Sequence, residues 1–138
     1  MTPTAKNLTD KDFQRLLELH SQLRRFVHWT ETQAKEAGIT PAQHQLMLAI
    51  RGHDDPRGPA IGEVANYMML RHHSVVGLTD RAEEAGLVER KADPDDHRVV
   101  RLRLTRKGAN VIQKLNGVHA EELSRLGRGI ENLKPPEG

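Results

Sequence analysis

The side chains with most chemistry to offer lie between Arg90 and Lys107. Seven of them are basic (Arg90, Lys91, Arg98, Arg101, Arg103, Arg106 and Lys107) against three acids, Asp93, Asp95 and Asp96. The local excess of four exceeds the +2 of the whole 138-residue chain, so the cationic surface is discrete. Guanidinium and ammonium groups neutralise phosphates, and such a stretch suits a nucleic-acid backbone. Leu102 and Leu104 alternate with Arg101 and Arg103, which predicts a strand with one apolar and one cationic face. A second group, Arg71, His72, His73 and Ser74, precedes a helical pattern. At a helix start these donors can reach base edges and phosphates. Gly77 would let that helix approach a groove closely, and Arg81 extends the cationic side.

Other chemistries find little support. Cysteine is absent, which removes disulfides, thiolate metal sites and thiol catalysis. Of the eight histidines, no two stand at the i, i+4 spacing with which one helix face chelates a metal, and there is no HExxH. His97 beside Asp95 and Asp96 resembles a ligand cluster only superficially, and no metal site or cofactor is expected. Nor is there a nucleophile–base pairing or a phosphate-cradling glycine loop, so the chain is not expected to be an enzyme. No apolar run has the length of a membrane span and the N-terminus lacks a signal-peptide core; a cytoplasmic protein without a membrane partner is expected.

The elements that must position these groups read mainly as helices. Thr9 or Asp10 can cap a long first helix whose stripe runs Phe13, Leu16, His20, Leu23, Val27, Thr30, Ala34 and Ala37, ending at Gly38. So wide an apolar face predicts packing beyond its own domain. Thr40-Pro41-Ala42-Gln43 reads as a capping box opening a helix with Leu46, Met47 and Ile50. HDDPRG (53–58) is a polar turn, residues 59–61 a very short extended segment, and Val64, Ala65 and Met68 mark a short helix. After a break at Met69–Arg71, a helix over 72–85 buries Val75, Leu78, Ala82 and Ala85. Leu87-Val88 and Val99–Leu104 are the predicted strands. Thr105 caps a last helix bearing Ile112, Leu115, Leu126, Ile130 and Leu133, weakened by Gly117, Gly127 and Gly129. The fold class is mainly α (α+β), a winged helix-turn-helix with long terminal helices. In one structural domain, residues 8–38 and 109–134 form dimerisation helices around a DNA-binding region, 39–108.

Several motifs resemble the MarR family of bacterial transcription regulators across nearly the whole chain. They are Ile61-Gly62-Glu63-Val64-Ala65, Asp80-Arg81, Glu84-Ala85-Gly86-Leu87-Val88-Glu89-Arg90, Asp93-Pro94-Asp95-Asp96-His97-Arg98 and Leu104-Thr105-Arg106-Lys107-Gly108. Ala82 departs from the pattern, where a larger aliphatic residue is usual. The resemblance implies a homodimer on a pseudo-palindromic double-stranded operator, with transcription usually repressed and often released by a small molecule. It also implies DNA contacts from Arg71, His72, His73, Ser74, Gly77, Arg81, Arg98, Arg101 and Arg103, with Arg98 at the wing tip. An effector pocket would draw on His20, Arg24, Trp29 and His44, Arg24 favouring an anionic aromatic ligand. The competing reading is an effector-independent architectural or partner-docking winged-helix protein.

Overall fold

A computed structural model describes residues 7–131, together with Ala5. Helix α1 (Asp10–Glu36) starts where Thr9 and Asp12 satisfy each other's backbone. The Thr9 N–H donates to the Asp12 carboxylate at 2.9 Å, and the Asp12 N–H donates to Thr9 Oγ1 at 3.3 Å. It ends at Gly38, whose φ of +82° suits a residue without Cβ. Helix α2 (Pro41–Gly52) opens with the Thr40–Gln43 box, both bonds 3.0 Å. Helix α3 (Ile61–Met68) ends at Met69, the one non-glycine residue with positive φ (+55°) among those described. That left-handed residue turns the chain sharply into α4 (His72–Glu84).

Strands β1 (Val88–Ala92) and β2 (Val100–Leu104) pair antiparallel with Val88 opposite Leu104 and Ala92 opposite Val100. The predicted strands are therefore displaced. Leu87 lies just outside β1, its carbonyl still accepting from Thr105 N–H, and Val99 belongs to the turn, its N–H donating to Asp96 O. Ala60 bridges to Arg101, so the short extended segment lies against β2. Helix α5 (Arg106–Glu131) runs unbroken through Gly117, Gly127 and Gly129. Gly129 lies against Gln22 of α1, whose side-chain end would have to shift to admit a Cβ. Leu133 lies outside the described residues, as does the Ile130 side chain.

Helix α2 is the centre of the molecule. Leu46, Met47 and Ile50 meet Val64, Val75, Leu78, Ala82, Leu87, Leu102, Ile112 and Leu115 in one core. Each full-sized member contributes about 1.5–3 kcal/mol by leaving water, enough to fix the short helices α3 and α4, which are too short to be stable alone. By contrast, only the inner end of the α1 stripe is covered. Thr30 and Ala34 are buried, whereas Phe13, Leu17, Leu23 and Val27 are exposed. No described helix is long and apolar enough to cross a membrane.

Candidate nucleic-acid interface

Helix α4 presents its N-terminus to solvent. Arg71 is the N-cap without a side-chain cap bond, and Arg71, His72 and His73 are exposed. Ser74 is half-buried, its N–H donating to Arg71 O at 3.0 Å. The first backbone N–H groups of the helix thus emerge among side chains able to donate to an anion. One turn on, a Cβ on Gly77 would meet only Arg81 Nη1 at 3.5 Å, an ordinary contact. Arg81 is exposed and, among the described residues, has no acid within ion-pair distance; Glu84 does not pair with it.

The helix is aimed by a residue that the sequence reading counted only as charge. Arg90 on β1 reaches back to α4, where it pairs with Asp80 at 2.7 Å and with Glu83, and donates to the Val76 carbonyl at 3.5 Å. Asp80 and Glu83, one turn apart on one helix face, are the available signal for such a clamp.

Beyond β1 the wing is built around Asp93. Its carboxylate accepts from the N–H groups of Asp95 (2.8 Å) and Asp96 (3.2 Å) and from Arg101 Nε (2.9 Å). Those bonds, the backbone ones first, hold the acid below the usual carboxylate range. Arg57, from the turn between α2 and α3, joins Asp55 (2.9 Å), Asp93 (3.5 Å) and Asp95 (3.4 Å). Arg101 is largely buried; it donates to Gly58 O at 3.1 Å and lies 3.7 Å from Glu63. Its guanidinium is consumed by structure, and the alternation that put it on a cationic face is interrupted by the chain segment covering that face. Arg103 remains exposed, with only a 3.4 Å bond to Arg57 O.

At the tip, the Arg98 side chain is 91% exposed and tied only to Asp96, at 3.1 Å. The Arg98 side chain, with its backbone N–H, holds Asp96 below the usual carboxylate range. Asp96 therefore holds Arg98 while Asp93 holds the wing. Behind the wing, Thr105 caps α5 through Gly108 N–H (3.0 Å) and donates to Gly86 O (2.6 Å). A Cβ on Gly108 would stand 2.0 Å from Leu87 O, which gives the Leu104–Gly108 motif a steric reason.

The four residues expected to line one pocket are divided among three places. His20 and Arg24 lie in a shallow groove on the outside of α1. Trp29 lines a cleft between α1 and α5. His44 lines a cavity of about 460 Å³ where α1, α2 and α5 meet, together with His119. Arg24 does not line the His44 cavity; it lies on α1 beside Val27 and Glu31, which border both the outer groove and that cavity. His119, not singled out from sequence, is buried with its ring 4.8 Å from Trp29 and 5.1 Å from His44. No group of three or more potential metal ligands occurs among the described residues.

Two short helices closed by a tight turn and followed by a two-stranded wing define a winged helix-turn-helix protein. The model of the MarR family matches residues 37–99. YsmB of Bacillus subtilis, an uncharacterised HTH-type transcriptional regulator, is 29% identical over 112 residues, 78% of this chain and 75% of YsmB. AbsC of Streptomyces coelicolor, a MarR family transcriptional regulator, superposes with a TM-score of 0.73 at 21% identity, covering 95% of this chain and 86% of AbsC. The S. aureus MepR–DNA complex gives 0.66 at 17% identity over 93% of this chain and 87% of MepR. Residues 37–99 thus match the MarR family of transcription regulators, on a fold that solved MarR family regulators share.

Proposed function

We propose that the protein is a sequence-specific double-stranded DNA-binding regulator, with α4 in the major groove and Arg98 in the flanking minor groove. The observation that carries this is the joint rigidity of the two elements. Arg90 fixes α4 to β1, Asp93 and Arg57 fix the wing, and Arg71, His72, His73, Arg81, Arg98 and Arg103 are left facing solvent. Arg101 acts from within, holding Asp93, and Gly77 by keeping the α4 surface low. S. aureus MepR forms a DNA complex on the same fold.

A homodimer is the reading that best accounts for Phe13, Leu17, Leu23 and Val27 on α1 and Leu123 on α5, all exposed. Two copies joined there would present two α4 helices to one pseudo-palindrome. Such a dimer seated on a promoter excludes other proteins, so repression is the proposed action. A small aromatic effector would fit the cavity lined by His44, Phe26 and Leu48. No lysine or arginine lines it, so the case for an anionic effector that rested on Arg24 falls away.

Selection of bound duplexes from a random pool tests the central reading. A recovered inverted repeat with half-sites about one helical turn apart is expected, with affinity falling steeply as salt rises. Binding without sequence preference would leave the architectural reading in its place. Sedimentation reports the dimer, and transcription in vitro from a promoter carrying the selected site distinguishes repression from activation.

A further inference from the structure

We propose that His44 and His119 form a proton-sensing joint, at which proton uptake loosens the helical stem from the DNA-reading head. The two imidazoles are buried basic groups that the DNA-facing surface does not use. His44 is 2% and His119 7% exposed, and their rings meet edge to face. Neither Nε2 has a hydrogen-bond partner, and His44 Nδ1 has only Gln45 Nε2 at 3.4 Å. Buried histidines are ordinarily steadied by a carboxylate or carbonyl; these two face each other.

The surroundings favour the neutral forms. From α1 come Trp29, Thr30, Phe26 and Glu31, the last exposed at the cavity's rim; from α2 come Gln45 and Leu48. From α5 comes Asn116. On the far side of Trp29, Glu122 and Arg125 pair with each other at 3.0 Å, and Glu18 and Arg25 line that same cleft. Glu31 is thus the one acid bordering the histidine cavity. Burial holds both imidazoles below the ordinary histidine range; for His44 the neighbouring His119 adds to it and the Asn116 side chain opposes it without reversing it. A folded state that favours neutral imidazole is at its most stable above that range, and it loses stability as pH falls below it. Two imidazoliums with facing rings would also repel each other.

Position turns this local strain into a signal. His44 lies on α2, which also carries Leu46, Met47 and Ile50 into the core shared with α3, α4 and β2. His119 lies on α5 and meets Trp29 of α1, so the pair stands where the stem joins the head. Proton uptake favours any arrangement that hydrates the rings, and that arrangement moves α1 and α5 relative to α2. In the proposed dimer the spacing of the two reading helices follows that movement, and acid weakens DNA binding. This consequence rests on the DNA-binding reading; the joint itself does not.

Trp29 is the chain's single tryptophan and touches His119, so its fluorescence reports protonation there without DNA. Wild-type protein is titrated from pH 8 to 5 by Trp29 emission, and in parallel for affinity to a labelled duplex selected at pH 8. Emission is expected to quench with a midpoint below the ordinary histidine range. DNA affinity is expected to drop about tenfold per pH unit for each proton taken up below that midpoint. Exposed His72 and His73 would do the reverse, strengthening binding in acid. His44→Gln with His119→Gln should remove the quenching and reverse the trend in affinity. An unchanged titration in that variant, or wild-type affinity that rises steadily with acid, overturns the proposal. Should the double variant not fold, imidazole NMR of the wild type decides: normal titration of both rings, with no accompanying change in α2 amides, overturns it. Absence of DNA binding at every pH would sink the regulatory reading alone, while Trp29 still reports on the joint.

Discussion

Replacing Gly58 with alanine probes how firmly the turn before α3 is fastened to the wing. Gly58 has φ of +89°, and a Cβ there would stand 2.1 Å from the carbonyl oxygen of Leu102 on β2. Ordinary carbon–oxygen contacts fall near 3.3 Å or beyond, so turn and strand must part by about 1 Å. The left-handed conformation costs alanine about 1–2 kcal/mol. Separation also threatens the bond from Leu102 N–H to Pro59 O, now 2.9 Å, worth about 1 kcal/mol. The sum is a destabilisation of about 2–3 kcal/mol, which for a domain of this size lowers Tm by about 10 °C. Gly62→Ala is the matched control. Its Cβ meets nothing within 4 Å on helix α3, and the exchange should raise stability by about 0.5–1 kcal/mol. Both are read by urea unfolding followed by helical circular dichroism. A Gly58→Ala midpoint within about 0.5 kcal/mol of wild type would refute the claim that turn and wing form one unit.

Three other outcomes follow from the geometry. Arg98→Ala should leave the fold intact, because the side chain touches only Asp96, and weaken binding to a selected duplex about tenfold to a hundredfold; unchanged affinity removes Arg98 from the interface. Arg90→Met should cost only about 1 kcal/mol of stability, since Asp80 and Glu83 are partly solvated. Its larger effect should be lost discrimination between selected and scrambled duplexes, and equal discrimination would show that α4 needs no clamp. Asp55, Asp93 and Asp96 titrate below the usual carboxylate range. Their contribution is therefore complete above that range and is lost as pH falls below it, through their lowered folded-state values. Thermal unfolding from pH 6 to 2 should show this loss, and Asp93→Asn should flatten it.

Local signals in the sequence were reliable wherever neighbouring residues settle the structure. The Thr40–Gln43 box, the Gly38 stop and the Thr105 cap depend on partners three or four residues away, and each element they bound is present. Side-chain alternation on β2 was read correctly for Leu102 but not for Arg101, whose outer face is covered by Gly58 and Asp55 from some forty residues earlier. Nothing in a strand pattern reports such a cover. The hub at Asp93 had a partial signal, since an Asp followed by Pro, Asp and Asp favours a turn closed by its own side chain. His44 and His119 are 75 positions apart and meet only because α2 and α5 do. The grouping of His20, Arg24, Trp29 and His44 did not carry over, because membership in neighbouring helices does not fix which way a side chain points.

The charged cluster joining residues 55–63 to residues 93–101 also bears on how the molecule assembles. A hairpin cut from this chain would keep the Asp93 turn and the bond from Arg101 but lose Arg57 and Gly58 from before α3 and Glu63 on α3. Loop closure over that separation must precede the final ladder. The wing is therefore a late-folding element: its amides should gain protection from exchange only once α2 and α3 are docked. In this chain the β-ribbon is completed by the helical core, and a nascent chain ending just past β2 would hold it only if that core had already closed.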